Sequence, residues 1–311
     1  MTRLVFLDQN AWIALARGSW DKVEFPREHA ALTKIVESVR SGSIIVPLTF
    51  ANVYETSKIN DPVRRANMAR AQALISGGRV FRGRRRILGE TLAKYIAGKF
   101  SIPRPAPEKY WFLSDLWFEA SADYSPDTYG FELSPRVLDY IRRDPARALF
   151  DYLLFDGAEE VRLEAVRRFS AASAELIARI ESRRAIVSGE TLAMRKRVYS
   201  ARLIIDELDF ILATGRQLGL DWQTVRDLGS SLARNITTDV SILNVERELV
   251  VRLEGQLRDI NENDLRDMAS FITVLPFADV VIAEKQFVNL ARQARFGESL
   301  GTTLMTSIFD F

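Results

Sequence analysis

Apolar positions follow two rhythms along this chain. Leu4-Val5-Phe6-Leu7 is a continuous apolar run that stops at Asp8-Gln9-Asn10. A short uninterrupted run of this kind is the pattern of a strand covered on both faces, as in a parallel sheet. Helical spacing takes over at once in Ala11-Trp12-Ile13-Ala14-Leu15-Ala16, with Asn10 as the predicted N-cap. A second helix is predicted from residue 27 to about residue 40, closed by Ser41-Gly42. A second buried strand is predicted over 44–48, and a third helix carries Asn52, Val53, Tyr54 and Glu55. Strand, helix, strand, helix at such short intervals predicts a parallel α/β arrangement.

The middle of the chain reads differently. Between about residues 60 and 255 the periodicity is almost purely helical, most clearly over 144–182, 199–218 and 239–257. The segment Ser101-Ile102-Pro103-Arg104-Pro105-Ala106-Pro107 marks a loop. The α/β pattern then returns. Asn263 is the predicted cap of a helix through Asp264, Leu265, Asp267, Met268, Phe271 and Ile272, which Pro276 ends. Val280-Val281-Ile282 is a third buried strand, a helix follows over 285–295, and 302–308 is the candidate last strand. The expected architecture is an α/β core, a parallel sheet flanked by helices, built from residues 1–59 and 256–311. A helical insertion over 60–255 should add no strand to that sheet.

Composition narrows the chemistry. Apolar residues make up 47% of 311, enough for a sizeable core. No run approaches the roughly 18 apolar residues of a membrane helix, and the first residues show no signal-peptide cleavage pattern. The expectation is a soluble, cytoplasmic protein without a membrane partner. A net charge of +2 makes no global case for nucleic acid. Zero Cys and a single His exclude thiolate zinc sites, multi-histidine metal sites and cysteine nucleophiles within the chain. A Ser-His-Asp triad would need His29, which lies in what reads as a surface helix start. No GxxxxGK[ST] occurs, and no GxGxxG follows a strand. An enzyme built from this chain would use carboxylates and a hard, oxygen-loving ion.

Acids recur where a sheet of this kind places its ligands, beyond the carboxyl ends of its strands. Asp8 follows the first strand, Glu55 sits on the helix after the second, and Asp264 and Asp267 share one helix face. Asp279 precedes the third strand and Glu284 follows it. Taken singly, each has an ordinary reading: an acid at a helix N-terminus, a solvated helix residue, or a turn. Asp8 is the hardest to explain that way, because a carboxylate ending an apolar strand needs a partner.

Phe6-Leu7-Asp8-Gln9-Asn10-Ala11-Trp12-Ile13, the mid-helix Glu55, Asn263-Asp264-Leu265-Arg266-Asp267-Met268 and Ala278-Asp279-Val280-Val281-Ile282-Ala283-Glu284-Lys285 together resemble the PIN domain nuclease family. The resemblance covers about the first 60 and last 55 residues. It maps the family's acids onto Asp8, Glu55, Asp267 and Glu284. It implies Mg²⁺ or Mn²⁺ and cleavage of RNA or structured nucleic acid. Asp264 and Asp279 are then extra ligands or outer groups, with Asp279 included in the candidate metal set. Asn10 either orients a water or phosphate or is only a cap. Two departures are visible: Ala283-Glu284 stands where the family often has Thr then Asp, and the insertion exceeds that of compact members.

Arg79, Arg82, Arg84, Arg85 and Arg86 crowd into eight residues and are candidate phosphate contacts or a solvated loop. Tyr110-Trp111-Phe112 and Trp117-Phe118 are read as core of the insertion in preference to base-stacking platforms. The leading expectation is a metal-dependent endoribonuclease, with RNA ahead of DNA as substrate. The alternatives are an inactive PIN-like scaffold that binds nucleic acid or protein, and a toxin-like or defence nuclease regulated by a protein partner through the insertion.

Overall fold

A computed structural model describes residues 2–121, 134–154 and 159–311. The N-terminal part runs β1 (Arg3–Leu7), α1 (Gln9–Trp20), α2 (Pro26–Arg40), β2 (Ile44–Ile45), α3 (Phe50–Ser57). The insertion follows as α4 (Pro62–Ser76), β3 (Val80–Phe81), α5 (Arg84–Lys99), β4 (Leu113–Ser114), α6 (Pro135–Arg143), α7 (Pro145–Leu154), α8 (Glu159–Val187), α9 (Leu192–Asp206), α10 (Leu208–Gln217), α11 (Gly229–Asp239) and α12 (Ser241–Leu253). The chain closes with α13 (Glu262–Val274), β5 (Val280–Ile282), α14 (Lys285–Gln293), α15 (Phe296–Ser299) and β6 (Thr303–Met305). Residues 155–158, inside one predicted helical stretch, lie outside the described residues.

The molecule is mostly helical around a small parallel sheet of order β2-β1-β5-β6. Leu7 pairs with Ile282 and Arg3 with Ile44, so β1 lies inside the sheet. Its side chains alternate between two cores. Leu4 and Phe6 pack with Val281 and Phe287 and with Ile87, Leu249 and Leu253 of the insertion. Val5 and Leu7 pack with Trp12, Ile35 and Ile282 and with Met68, Ile75 and Leu149 of the insertion. The apolar run read as a doubly covered strand is such a strand. The insertion supplies part of the cover on each face.

The insertion adds no strand to the four-stranded sheet among the described residues. It does extend the edge. Val80 makes a parallel bridge to Leu48, just past β2, and β3 pairs antiparallel with β4. The predicted strand over 44–48 is therefore regular only at Ile44–Ile45 and continues as an extended segment. The 199–218 stretch, read as one helix, breaks at Glu207 between α9 and α10. There the buried carboxylate accepts from both Arg84 and Arg85.

Two predicted caps move. Asp8, not Asn10, caps α1: its backbone is extended and its carboxylate accepts from the Ala11 amide at 2.9 Å. The β1 ladder runs on through the Asp8 amide, which donates to Ile282, so the chain turns at residue 8. Asn261, not Asn263, caps α13, with Asp264 closing a capping box.

Gly18 sits where α1 meets the start of α2. A Cβ there would lie 2.4 Å from the Glu28 backbone carbon, and backbone cannot swing aside as a side chain can. Gly98, at an exposed position of α5, has open space where a Cβ would go, with nothing within 4 Å. Gly18→Ala should destabilise by about 1–3 kcal/mol through overpacking, whereas Gly98→Ala should stabilise by up to about 1 kcal/mol through helix propensity. Urea unfolding of both variants checks the pair; equal shifts would contradict the α1–α2 contact.

Candidate active site

In an open α/β sheet, ligands bind beyond the carboxyl ends of the strands where the chain direction switches. Here β1 connects onward to β2 on one side and pairs with β5 on the other, so the crevice opens beyond the ends of β1 and β5. Asp8 stands at the end of β1. Glu284 stands two residues past β5 and is exposed. The hydrogen bond from the Asp8 amide to the Ile282 carbonyl, 2.9 Å, fixes the two chain ends side by side.

Glu55 arrives on α3. The buried Asn52 forms a capping box with Thr49 and reaches the Leu7 carbonyl at 3.4 Å, tying α3 to the end of β1. The buried Thr49 hydroxyl also meets Ser270 at 3.1 Å, which ties α3 to α13. That contact holds α13, the helix that carries Asp267, against α3. Thr56 and Gln72, both fully buried, and Gln9 add a polar network under the site: Thr56 donates to Gln72 at 2.9 Å and Gln9 donates to Thr56 at 3.3 Å. None of these supporting residues was singled out from sequence. The one signal available was that Gln9 and Thr56 adjoin two of the candidate acids.

The electrostatics show that the four acids share one neighbourhood. Burial raises Asp8 to about 6, with Glu284 and Glu55 adding to the rise and the Ala11 amide opposing it. Burial raises Asp267 to about 8, reinforced in turn by Glu284, Glu55 and Asp8. Glu55 is raised by burial and by Glu284, although Arg266 pulls it down. Arg266 donates to Glu55 at 3.0 Å and is itself held by Glu262 and Asn263. Among the described residues no hydrogen bond or ion pair reaches the Asp267 carboxylate. Among the same residues, no group of three or more His, Cys, Asp or Glu side chains is placed to hold a metal ion.

The other candidates are committed to partners of their own. Asp264 is buried and fully committed: it takes Arg258 at 2.8 Å, the Asn261 amide at 2.9 Å and Gln286 at 3.0 Å. Asp279 lies at the opposite end of β5, where it accepts from the Leu4 amide at 2.6 Å. Asn10 donates to Glu284 at 2.5 Å and so orients that acid. His29 contacts the Gly18 carbonyl at 3.0 Å, within the α1–α2 junction.

The arginine-rich segment is largely neutralised. Arg84 bridges Glu207 and Glu246, and Arg85 pairs with Glu207 and lies 3.8 Å from the Phe210 ring centroid. Arg82 stands 3.0 Å from Glu119 and Arg79 3.6 Å from Asp115, leaving Arg86 as the member without an ion pair among the described residues. Partners distant in sequence account for this, and no local pattern foretold them. The aromatics pack, but not within the insertion alone: Trp117 stacks on Tyr152 at 3.6 Å inside it, whereas Phe112 stacks on Phe277 of the C-terminal segment at 4.2 Å.

Compared with family models, curated proteins and solved structures, the chain matches none.

The raised acids predict a pH dependence. A carboxyl with a folded pKa above its unfolded value binds more protons when folded, so its contribution falls as pH rises. For Asp267 the window runs from about 4, the unfolded value, to about 8. Without divalent ions, Asp267→Asn should match wild type near pH 4 and exceed it at pH 8 by about 2 kcal/mol, the raw shift being discounted for partial exposure. Thermal unfolding in chelator across this range tests it; a pH-independent difference would contradict the repulsion.

Proposed function

We propose that this chain is a metal-dependent nuclease that hydrolyses phosphodiesters, with RNA as substrate, on a PIN-like core. The observation that carries this reading is the Asp267 carboxyl. It is raised to about 8 by burial and by three other acids, and no hydrogen bond or ion pair compensates it among the described residues. A buried carboxylate that has no partner of its own and feels the charge of neighbouring acids is costly unless a cation joins it. The donor set is entirely carboxylate oxygen, which suits Mg²⁺ or Mn²⁺. Asp8 and Asp267 would be the central ligands, with Glu55 and Glu284 flanking.

Such an ion, when bound, would supply charge stabilisation at the phosphate and lower the pKa of an attacking water. The chain's own residues prepare the rest. Asn10 holds the Glu284 carboxylate. The N-terminus of α1 opens beside Asp8, and helix N-termini favour phosphate. No Cys or His is needed, in keeping with a chain that has no Cys and one His.

One observation favours the scaffold alternative: Arg266 already donates to Glu55, so an internal guanidinium offsets part of the negative charge. A regulated, toxin-like or defence effector shares the nuclease chemistry. For that reading, α8 is the element through which a partner would act, since Phe169 packs 4.2 Å from Tyr54, beside Glu55 on α3.

Purified protein should cleave RNA only with Mg²⁺ or Mn²⁺, and Asp8→Asn should reduce cleavage at least about a hundredfold. The substitution removes an anionic ligand while keeping a side-chain oxygen able to cap α1, since Asn is a good N-cap. Mn²⁺ should raise the thermal midpoint of wild type by mass action and raise that of the variant far less. Stabilisation without cleavage would mean a nuclease awaiting a partner. Neither cleavage nor stabilisation would leave the scaffold reading.

A further inference from the structure

A cavity of about 380 Å³ opens from the Asp8–Glu284 edge of the crevice. That is near the low end of the roughly 300–1,000 Å³ typical of ligand pockets, room for one nucleoside and not for a base pair. Its walls divide by chemistry. Ala11, Ala14 and Ile308 give an apolar interior, while Thr306 and Ser307 line it with hydroxyls. Phe309 forms part of the rim with 40% of its surface exposed, and the Arg27 guanidinium lies 4.6 Å from its ring centroid. Lys285, exposed, lines the same cavity next to Glu284. Among the described residues neither Arg27 nor Lys285 is in an ion pair, unlike four of the five arginines in the 79–86 segment.

Resting on the nuclease reading above, we infer that this cavity is a base-binding subsite for single-stranded nucleic acid: one unstacked base packs against Phe309 while Lys285 and Arg27 meet the flanking phosphates. An exposed aromatic ring beside cations that no carboxylate neutralises is the combination by which single strands are held without sequence readout. A duplex keeps its bases paired and stacked and has none to offer. The subsite would therefore select single-stranded substrate and seat it with a phosphate toward the acids.

The test is binding, measured separately from cleavage. The full-length protein, in Ca²⁺ to offset the acids, is titrated against a fluorescein-labelled single-stranded octaribonucleotide and its blunt duplex, read by anisotropy. The single strand should bind at least about ten times more tightly than the duplex. Phe309→Leu should weaken single-strand binding about tenfold, the size expected for one base–aromatic stack. Phe309→Trp should restore it, with the added tryptophan quenched on binding. Lys285→Gln should weaken binding and flatten its salt dependence. Equal affinity for the duplex, an unchanged Phe309→Leu variant, or no binding of either strand would each overturn the inference. Mn²⁺ stabilisation of wild type separates the two failures: if it persists, the nuclease reading stands without this subsite, and if it too is missing, both fall.

Discussion

Leu4 and Phe6 point into one core while Val5 and Leu7 point into another, so β1 has no face for solvent. Much of the architecture answers that constraint. α1 and α2, with α4 and α7, cover one side; α5, α12, α13 and α14 cover the other. Two of these covering helices on each side come from the long middle segment. The insertion is thus part of the same hydrophobic structure as the two chain ends. The same burial forces Asp8 to the point where the strand emerges, and its amide is still held by Ile282.

The contrast between Asp264 and Asp267 shows what separates a structural acid from a candidate ligand. They are three residues apart on one helix. Asp264 turns toward Arg258, Gln286 and the amide of its own cap and is balanced there. Asp267 has no such partner among the described residues and is raised, first by burial and then by the charges of Glu284, Glu55 and Asp8. Elsewhere the protein pairs its buried acids thoroughly: Glu248 lies between Lys196, Arg247 and Arg252, and Glu207 between Arg84 and Arg85. Unbalanced negative charge at the sheet edge is exceptional against that background, and perturbed groups of this kind concentrate at functional sites.

Arg266 makes the edge more complex than a bare acidic cluster. Its side chain is almost wholly buried and links Glu55 to Glu262, while Lys58 and Ser170 also reach Glu262. Glu55 is therefore connected through one arginine to α8 of the insertion.

Local pattern alone determined the four strands of the parallel sheet and most helices; β3 and β4, inside the segment read as helical, escaped it. A strand buried on both faces must be continuously apolar, an amphipathic helix must repeat near 3.6 residues, and both rules act within a few residues. Asp8, Glu55, Asp267 and Glu284 could be nominated from sequence because acids at strand ends and on following helices have a fixed place in a parallel sheet. Their separation from Asp264 and Asp279 was decided only by tertiary structure, since hydrogen-bond partners such as Arg258 and the Leu4 amide follow from chain packing. The same holds for the arginines of 79–86. Five like charges in eight residues look available for phosphate, yet Glu207 and Glu246, more than a hundred residues away, neutralise Arg84 and Arg85. Spacing along a chain records which face a residue takes. Which charges meet across the fold is set by packing, and that is where this protein distinguishes its structural ion pairs from its candidate site.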